Sequence, residues 1–193
     1  MNKPAVLIID MLNDSFLSEQ LIAKRAELCD SINKLLYFAR ENQFPIIWVR
    51  QEFKADLSDA FLEMRDENIN MYIEGTFGSK ILEELPQMDN EREIIKKRYS
   101  AFFQTDLDDL IKTLNPSFLV LAGVNTHACI RTAAIDAYQL DYRVQIISDC
   151  VASPNQRHHD VTLDYLGGSI SKVVKLDKFK EEFNARTAAE NAD

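Results

Sequence analysis

Three side chains able to make bonds or move protons stand just beyond short apolar runs. Asp10 follows AVLII at 5–9, Lys96 follows Ile94 and Ile95, and Cys129 follows the Gly123 break after FLVLA at 118–122. A thiol in the first turn of a helix feels the partial positive charge of the helix N-terminus, which favours the nucleophilic thiolate. A carboxylate ending a buried strand lies where open α/β sheets bind ligands. Each residue also has a structural reading. Cys129 is small enough to pack a helix onto a sheet, and Asp10 is a favoured turn or cap residue for the loop at 11–18. Position alone leaves these readings balanced.

Alternating strands and helices must hold such groups. Segments at 5–9, 46–49, 92–95, 118–122, 144–147 and 172–176 read as six strands. Between the first two, Leu21, Ile22, Leu28, Ile32, Leu35 and Leu36 recur at three- and four-residue steps, predicting a long helix over 19–41. Further helices are predicted over 106–114, from about Thr126, and over 156–166. This alternation specifies a three-layer α/β/α sandwich, Rossmann-like, around a mostly parallel six-stranded sheet. The chain 1–193 reads as one domain, with a lid-like insertion at about 50–85. Within it, 79–85 reads as a short helix stopped by Pro86. The charged, alanine-rich stretch after about 180 reads as a polar tail, either a frayed helix or a subunit contact.

The formal net charge of −9 argues against nucleic-acid or anionic-membrane partners. No apolar run approaches the roughly 18 residues of a membrane span. Cys29, Cys129 and Cys150 make an odd count with no CxxC spacing, so neither a zinc knuckle nor a dithiol motif is supported. The apolar run near the N-terminus is too short for a secretory signal. A reduced, cytoplasmic protein is expected.

Taken together, the segments around the three reactive groups resemble the isochorismatase-like cysteine hydrolases, a superfamily that includes nicotinamidases, N-carbamoylsarcosine amidohydrolases and ureidoacrylate or biuret amidohydrolases. The resemblance rests on AVLIIDMLNDSF around Asp10, IIKKRYSAFFQTDLDDLI around Lys96, and LVLAGVNTHACIRTAAIDAYQLDYRVQIISDCVAS around Cys129. EGTFGSKILEEL matches an intermediate element, and the pieces lie in family order. It implies a catalytic triad of Asp10, Lys96 and Cys129, with Lys96 chosen over Lys97 by its place before Tyr99. It also implies a cis peptide at Val124–Asn125 and an oxyanion hole built from the Asn125 and Cys129 N–H groups. In the implied chemistry Cys129 attacks a carboxamide or ureido carbonyl and a thioester is hydrolysed, with Asp10 as acid and base and Lys96 as electrostatic partner. A homo-oligomer, dimer or tetramer, acting on a small-molecule substrate is implied as well.

Departures from the family pattern narrow this. Nicotinamidases hold a metal with an aspartate and several histidines. This chain has only His127, His158 and His159, and VRQEFKADL after Trp48 contains no histidine. No metal and no cofactor are therefore expected, and nicotinamide is disfavoured. Isochorismatases proper cleave a vinyl ether without needing a cysteine, so Cys129 weighs against that activity, which stays as the alternative enzyme. A non-catalytic thiol sensor or binding protein is the alternative from another class. Candidate substrate contacts are Phe16, Gln51, Tyr99, Phe102 and His127, with Phe53 and Phe77 as further aromatics and Arg50 sharing the strand end with Gln51. His158 and His159 read as solvated or capping residues, and Cys29 and Cys150 as packing.

Overall fold

The computed structural model describes residues 3–190. Its centre is a pair of strands, β1 (Ala5–Ile9) and β4 (Leu119–Val124), in which every residue is buried. Strands covered on both faces must be apolar throughout, and alternate residues serve opposite layers. Val6 and Ile8 belong to one core cluster, with Val120 and Ala122, while Ala5, Leu7 and Ile9 belong to the other, with Leu119 and Leu121.

The remaining strands are β2 (Ile46–Gln51), β3 (Arg92–Lys96), β5 (Val144–Ala152) and β6 (Lys172–Val174). All pairings are parallel, in the order β3-β2-β1-β4-β5-β6. The chain builds outward from β1 to β3, then restarts on the other side at β4. That reversal leaves a crevice beyond the carboxyl ends of β1 and β4, where open α/β sheets take ligands.

Helices α1 (Glu19–Glu41) and α6 (Leu176–Glu190) cover one face; α3 (Leu107–Leu114) and α4 (Arg131–Gln139) cover the other, with Leu166 of α5 (Gln156–Ser169). Helix α1 starts where Ser18 accepts the Leu21 N–H at 3.3 Å, a side-chain cap for an otherwise orphaned donor. Among the described residues no helix is long and apolar enough to cross a membrane.

Three regions differ from expectation. The stretch after 180 is not simply polar: α6 docks through Phe179 and Phe183, whose rings lie 5.9 Å from Phe38 and 4.8 Å from Phe44 respectively. Its last residues, 191–193, lie outside the described residues. Residues 79–85 form no helix, because Ile81 bridges Leu12 and the Leu82 N–H donates to the Met11 carbonyl. Strand β5 runs on to Ala152, with a register shift against β4 between Leu121 and Gly123. Within 50–85 only α2 (Leu62–Asp66) is regular, and Phe53, Leu57, Ala60 and Ile73 form a small core of their own.

Candidate active site

Asp10, Lys96 and Cys129 converge in the crevice. Asp10 leaves β1 in the left-handed region, φ 52°. One carboxylate oxygen, Oδ1, accepts the Gln51 backbone N–H at 2.9 Å, and the other, Oδ2, lies 2.8 Å from Lys96 Nζ. Lys96 is the last residue of β3, in register with Gln51 of β2. Its side chain runs past that neighbour to reach groups on β1 and β4. On the way the ammonium donates to Gln51 Oε1 at 2.6 Å and to the Arg98 carbonyl at 3.2 Å, and it ends 3.5 Å from Cys129 Sγ. Lys96 is fully buried. A charge taken out of water needs this density of partners.

Cys129 is delivered by a close approach of β4 to β1. Gly123 has φ 119°, and a Cβ there would sit 2.0 Å from the Ile9 carbonyl oxygen, so no other residue fits. The Val124–Asn125 peptide that follows is cis. Residues Thr126–Ile130 then form a wide π turn, with the Ile130 N–H donating to the Asn125 carbonyl at 3.2 Å, before α4 begins at Arg131. The expectation of an ordinary first helical turn beginning at Thr126 is corrected accordingly.

The protonation of Cys129 also departs from expectation. Burial, reinforced by the Asp10 carboxylate, pushes its thiol up to about 12 against the pull of Lys96. Both effects favour the thiol over the thiolate, and a helix terminus supplies only partial charge against them. For Lys96, burial works to lower the pKa, but the Asp10 carboxylate and the Cys129 sulfur outweigh it and the net direction is upward.

Asp10 and Cys129 floor a cavity of about 480 Å³, with Lys96 buried behind them. Of the expected contacts, Gln51, Phe53, Tyr99 and His127 line it, along with Asn125. Phe16 and Phe102 do not. Phe16 is buried in the α1 core under the Arg25 guanidinium, and Phe102 stacks on Tyr142, because each turns toward the apolar layer behind its loop. Phe77 is exposed and Arg50 is held by Glu52, Glu93 and the Ser79 carbonyl, so neither joins the wall.

Sequence reasoning missed Ser15, Phe61, Leu62, Glu63, Met64 and Tyr72. Ser15 donates to the Asp10 carbonyl at 2.7 Å, and Tyr72 is seated by its backbone N–H on Asp14 Oδ2 at 2.6 Å. The neighbours of Lys96 anchor this wall: Lys97 pairs with Asp59 at 3.0 Å, and Arg98 donates to the Asp59 carbonyl and covers the Phe61 ring. His127 Nδ1 lies 2.8 Å from Ser153 Oγ, and burial, together with nearby His158, lowers its pKa. Thr126 Oγ1 lies 2.9 Å from His159 Nδ1. Among the described residues no three His, Cys, Asp or Glu side chains gather as a metal site, and Asp10 is committed to Lys96.

Two buried polar atoms in this cavity's residues lack partners among the described residues, Gln51 Nε2 and Asn125 Oδ1. Since Gln51 Oε1 accepts from an ammonium, its Nε2 must be the free end. The site therefore holds an unused donor and an unused acceptor beside the thiol.

Comparison with known proteins agrees with this architecture. A protein of Arabidopsis thaliana described as a "probable inactive nicotinamidase" is 32% identical, over 92% of this chain and 95% of its own. An isochorismatase family protein from Desulfovibrio vulgaris superposes with a TM-score of 0.86 at 26% identity, covering 95% of this chain and 100% of that one. The nicotinamidase/pyrazinamidase of Bacillus subtilis gives 0.77 at 27% identity, covering 90% and 100%. The family model of the isochorismatase domain matches residues 4–177. That match takes in all six strands and the three groups that meet in the crevice, and the chain belongs to the isochorismatase-like hydrolase family.

Proposed function

We propose that this protein is a metal-independent cysteine hydrolase of small, uncharged carboxamides or ureido compounds. The observation that carries the reading is the placement of Cys129 Sγ, at the floor of the cavity, 3.5 Å from a Lys96 ammonium that is itself 2.8 Å from Asp10. In the resting state Cys129 is a thiol and Asp10 a carboxylate held by Lys96. As sulfur bonds to the substrate carbonyl carbon, Asp10 takes the thiol proton. The oxyanion rests on the Asn125 and Cys129 backbone N–H groups. Collapse breaks the C–N bond, Asp10 returns its proton to the departing ammonia or amine, and a thioester remains. Asp10 then deprotonates water, which attacks the thioester. The acid leaves, and Cys129 recovers its proton. Lys96 keeps its proton throughout and offsets the charge that passes between carboxylate, sulfur and oxyanion.

The wall supports an uncharged substrate. Its charged lining residues are Asp10 and Glu63, both acidic, and the ammonium behind them, Lys96, is fully buried and committed to Asp10. Isochorismate, with two carboxylates, would meet two acids and no cation free of a carboxylate partner on this wall, so the vinyl-ether activity is disfavoured. The unused Gln51 donor and Asn125 acceptor match the carbonyl and N–H of a carboxamide or ureide. Residues 50–85 act as the lid that shapes this wall.

A second reading, a non-catalytic thiol or binding protein, is motivated by the inactive description of the Arabidopsis relative. Ammonia release from a panel of small amides and ureides separates the two. Turnover that disappears in Cys129→Ala supports the hydrolase; full turnover in that variant rejects the thioester route. Silence across the panel, with iodoacetamide labelling Cys129 in preference to Cys29 and Cys150, supports the thiol reading. We further propose that it acts in the cytoplasm as a homo-oligomer, dimer or tetramer, a state that light scattering measures.

A further inference from the structure

At the far end of the sheet from Cys129 lies a second hollow of about 780 Å³. It is bounded by the entry to β5, the entry to β6, the ends of α4 and α5, and α6. Strand β5 runs from this hollow at Val144 to Ala152, where it pairs with Val124 beside the thiol cavity, so the two hollows occupy opposite ends of the same strand. Its volume falls within the roughly 300–1,000 Å³ of small-molecule sites.

Three cationic residues line it, Arg143, Lys172 and Arg186, against one acid, Asp141. On a chain of net charge −9 this is a local reversal of sign. Lys172 is engaged by Glu182, a carboxylate that Arg186 also stabilises from beyond ion-pair distance, whereas Arg143 forms no ion pair among the described residues. Guanidinium groups not hydrogen-bonded to a carboxylate suit an oxyanion, which they bind through paired N–H donors.

A second, independent observation points the same way. Among the described residues, Gln145 Oε1 and Ser171 Oγ are buried side-chain atoms without a hydrogen-bond partner, and both residues line this hollow. Gln145 is only 8% exposed. Native structures satisfy almost all such groups, so an orphan acceptor in a cavity wall marks a place for a ligand's donor. Tyr138, Tyr142 and Phe118 add aromatic surface to the same wall.

We propose that this hollow is a second ligand site, for a phosphomonoester that also carries hydroxyl groups. The phosphate faces Arg143 and Arg186, and hydroxyls donate to Gln145 Oε1 and Ser171 Oγ. No covalent step is involved, and the proposal stands independently of the amide hydrolysis assigned to the other end of the sheet.

Titration calorimetry on the full chain with ribose 5-phosphate, AMP and inorganic phosphate tests it. The expected result is saturable binding of ribose 5-phosphate, of AMP or of both, tighter than that of inorganic phosphate. The two organic arms separate a sugar phosphate from a nucleotide. Binding should weaken about tenfold or more in Arg143→Gln/Arg186→Gln, as expected for the loss of charge-assisted contacts. Both arginines are exposed, so the variant should fold, which circular dichroism checks. Binding should be unchanged in Cys129→Ala. The proposal is overturned if neither organic ligand binds, if inorganic phosphate binds as well as both of them, if the double variant binds undiminished, or if Cys129→Ala abolishes binding.

Discussion

Lys96 Nζ lies 2.8 Å from Asp10 Oδ2 although strand β2 stands between the strands that carry them. The pair is bridged by Gln51, whose backbone N–H binds the carboxylate and whose side-chain oxygen binds the ammonium. One residue of β2 thus fixes both partners, and the ion pair is a cross-sheet brace.

Removing one partner of such a brace leaves the other charge buried and alone. Lys96→Met should therefore cost about 3 kcal/mol or more of stability in urea unfolding, and amide turnover should fall by roughly 100-fold or more. Lys97→Met is the control. Its side chain is 37% exposed where it pairs with Asp59, so the change should stay below about 1 kcal/mol, with turnover largely kept. Comparable losses in the two variants would show that the lysines are not distinguished by burial.

The close contact of β4 on β1 makes a second prediction. In Gly123→Ala the new Cβ meets the Ile9 carbonyl at 2.0 Å with φ at 119°. Neither strand can yield, since both are buried in the middle of the sheet. Destabilisation of about 3 kcal/mol or more, or failure to accumulate as folded protein, is expected. Gly75→Ala provides the comparison: it has φ 74° but open space around it, and should cost only about 1 kcal/mol. A thermal melt of each settles the order.

The sheet was legible because central parallel strands such as β1 and β4 are apolar on both faces, and their alternation with amphipathic helices places the more polar edge strands β3 and β6. Which basic residue enters the site was not legible from strand periodicity; the resemblance chose Lys96, and Lys97 and Arg98 proved to be anchors for the 50–85 segment. That segment was opaque because its order comes from contacts with no period. Tyr72 has φ 55° and is seated by Asp14, a pairing that no spacing announces. Phe16 and Phe102 were misplaced for a related reason: an aromatic in a loop carries no mark of which side it turns to. The wide turn at Thr126–Ile130 was hidden because its sequence suits an ordinary helical turn equally well.

The alkaline stability of the protein should report the Cys129 thiol. Its folded pKa of about 12 lies above the 9.0 of an unperturbed thiol, so the folded state holds a proton that the unfolded state releases. The stabilisation is complete below 9 and is lost as pH rises toward 12, at no more than about 1.4 kcal/mol per pH unit from this group. Cys29 and Cys150 are raised in the same direction, so the measurement is the difference in slope between the parent protein and Cys129→Ala. A shallower alkaline decline in the variant is expected. Equal slopes would mean that folding does not raise the Cys129 pKa.

Asp10 opposes ionisation of Cys129 and, in the proposed mechanism, also removes its proton during attack. These two effects separate in Asp10→Asn. The amide is nearly isosteric and can still accept the Gln51 N–H, but it carries no charge to raise the thiol. Lys96, freed of its carboxylate, is left beside the sulfur at 3.5 Å and favours the thiolate. Each unit by which the Cys129 pKa falls raises the thiolate fraction about tenfold. Iodoacetamide should therefore label Cys129 at least about tenfold faster in Asp10→Asn than in the parent, while ammonia release from the best amide disappears because nothing remains to protonate the leaving nitrogen. Faster alkylation with no turnover is the signature of a carboxylate that shuttles the proton. Slower alkylation would show that Asp10 promotes the thiolate at rest, and undiminished turnover would assign the proton transfer to another group.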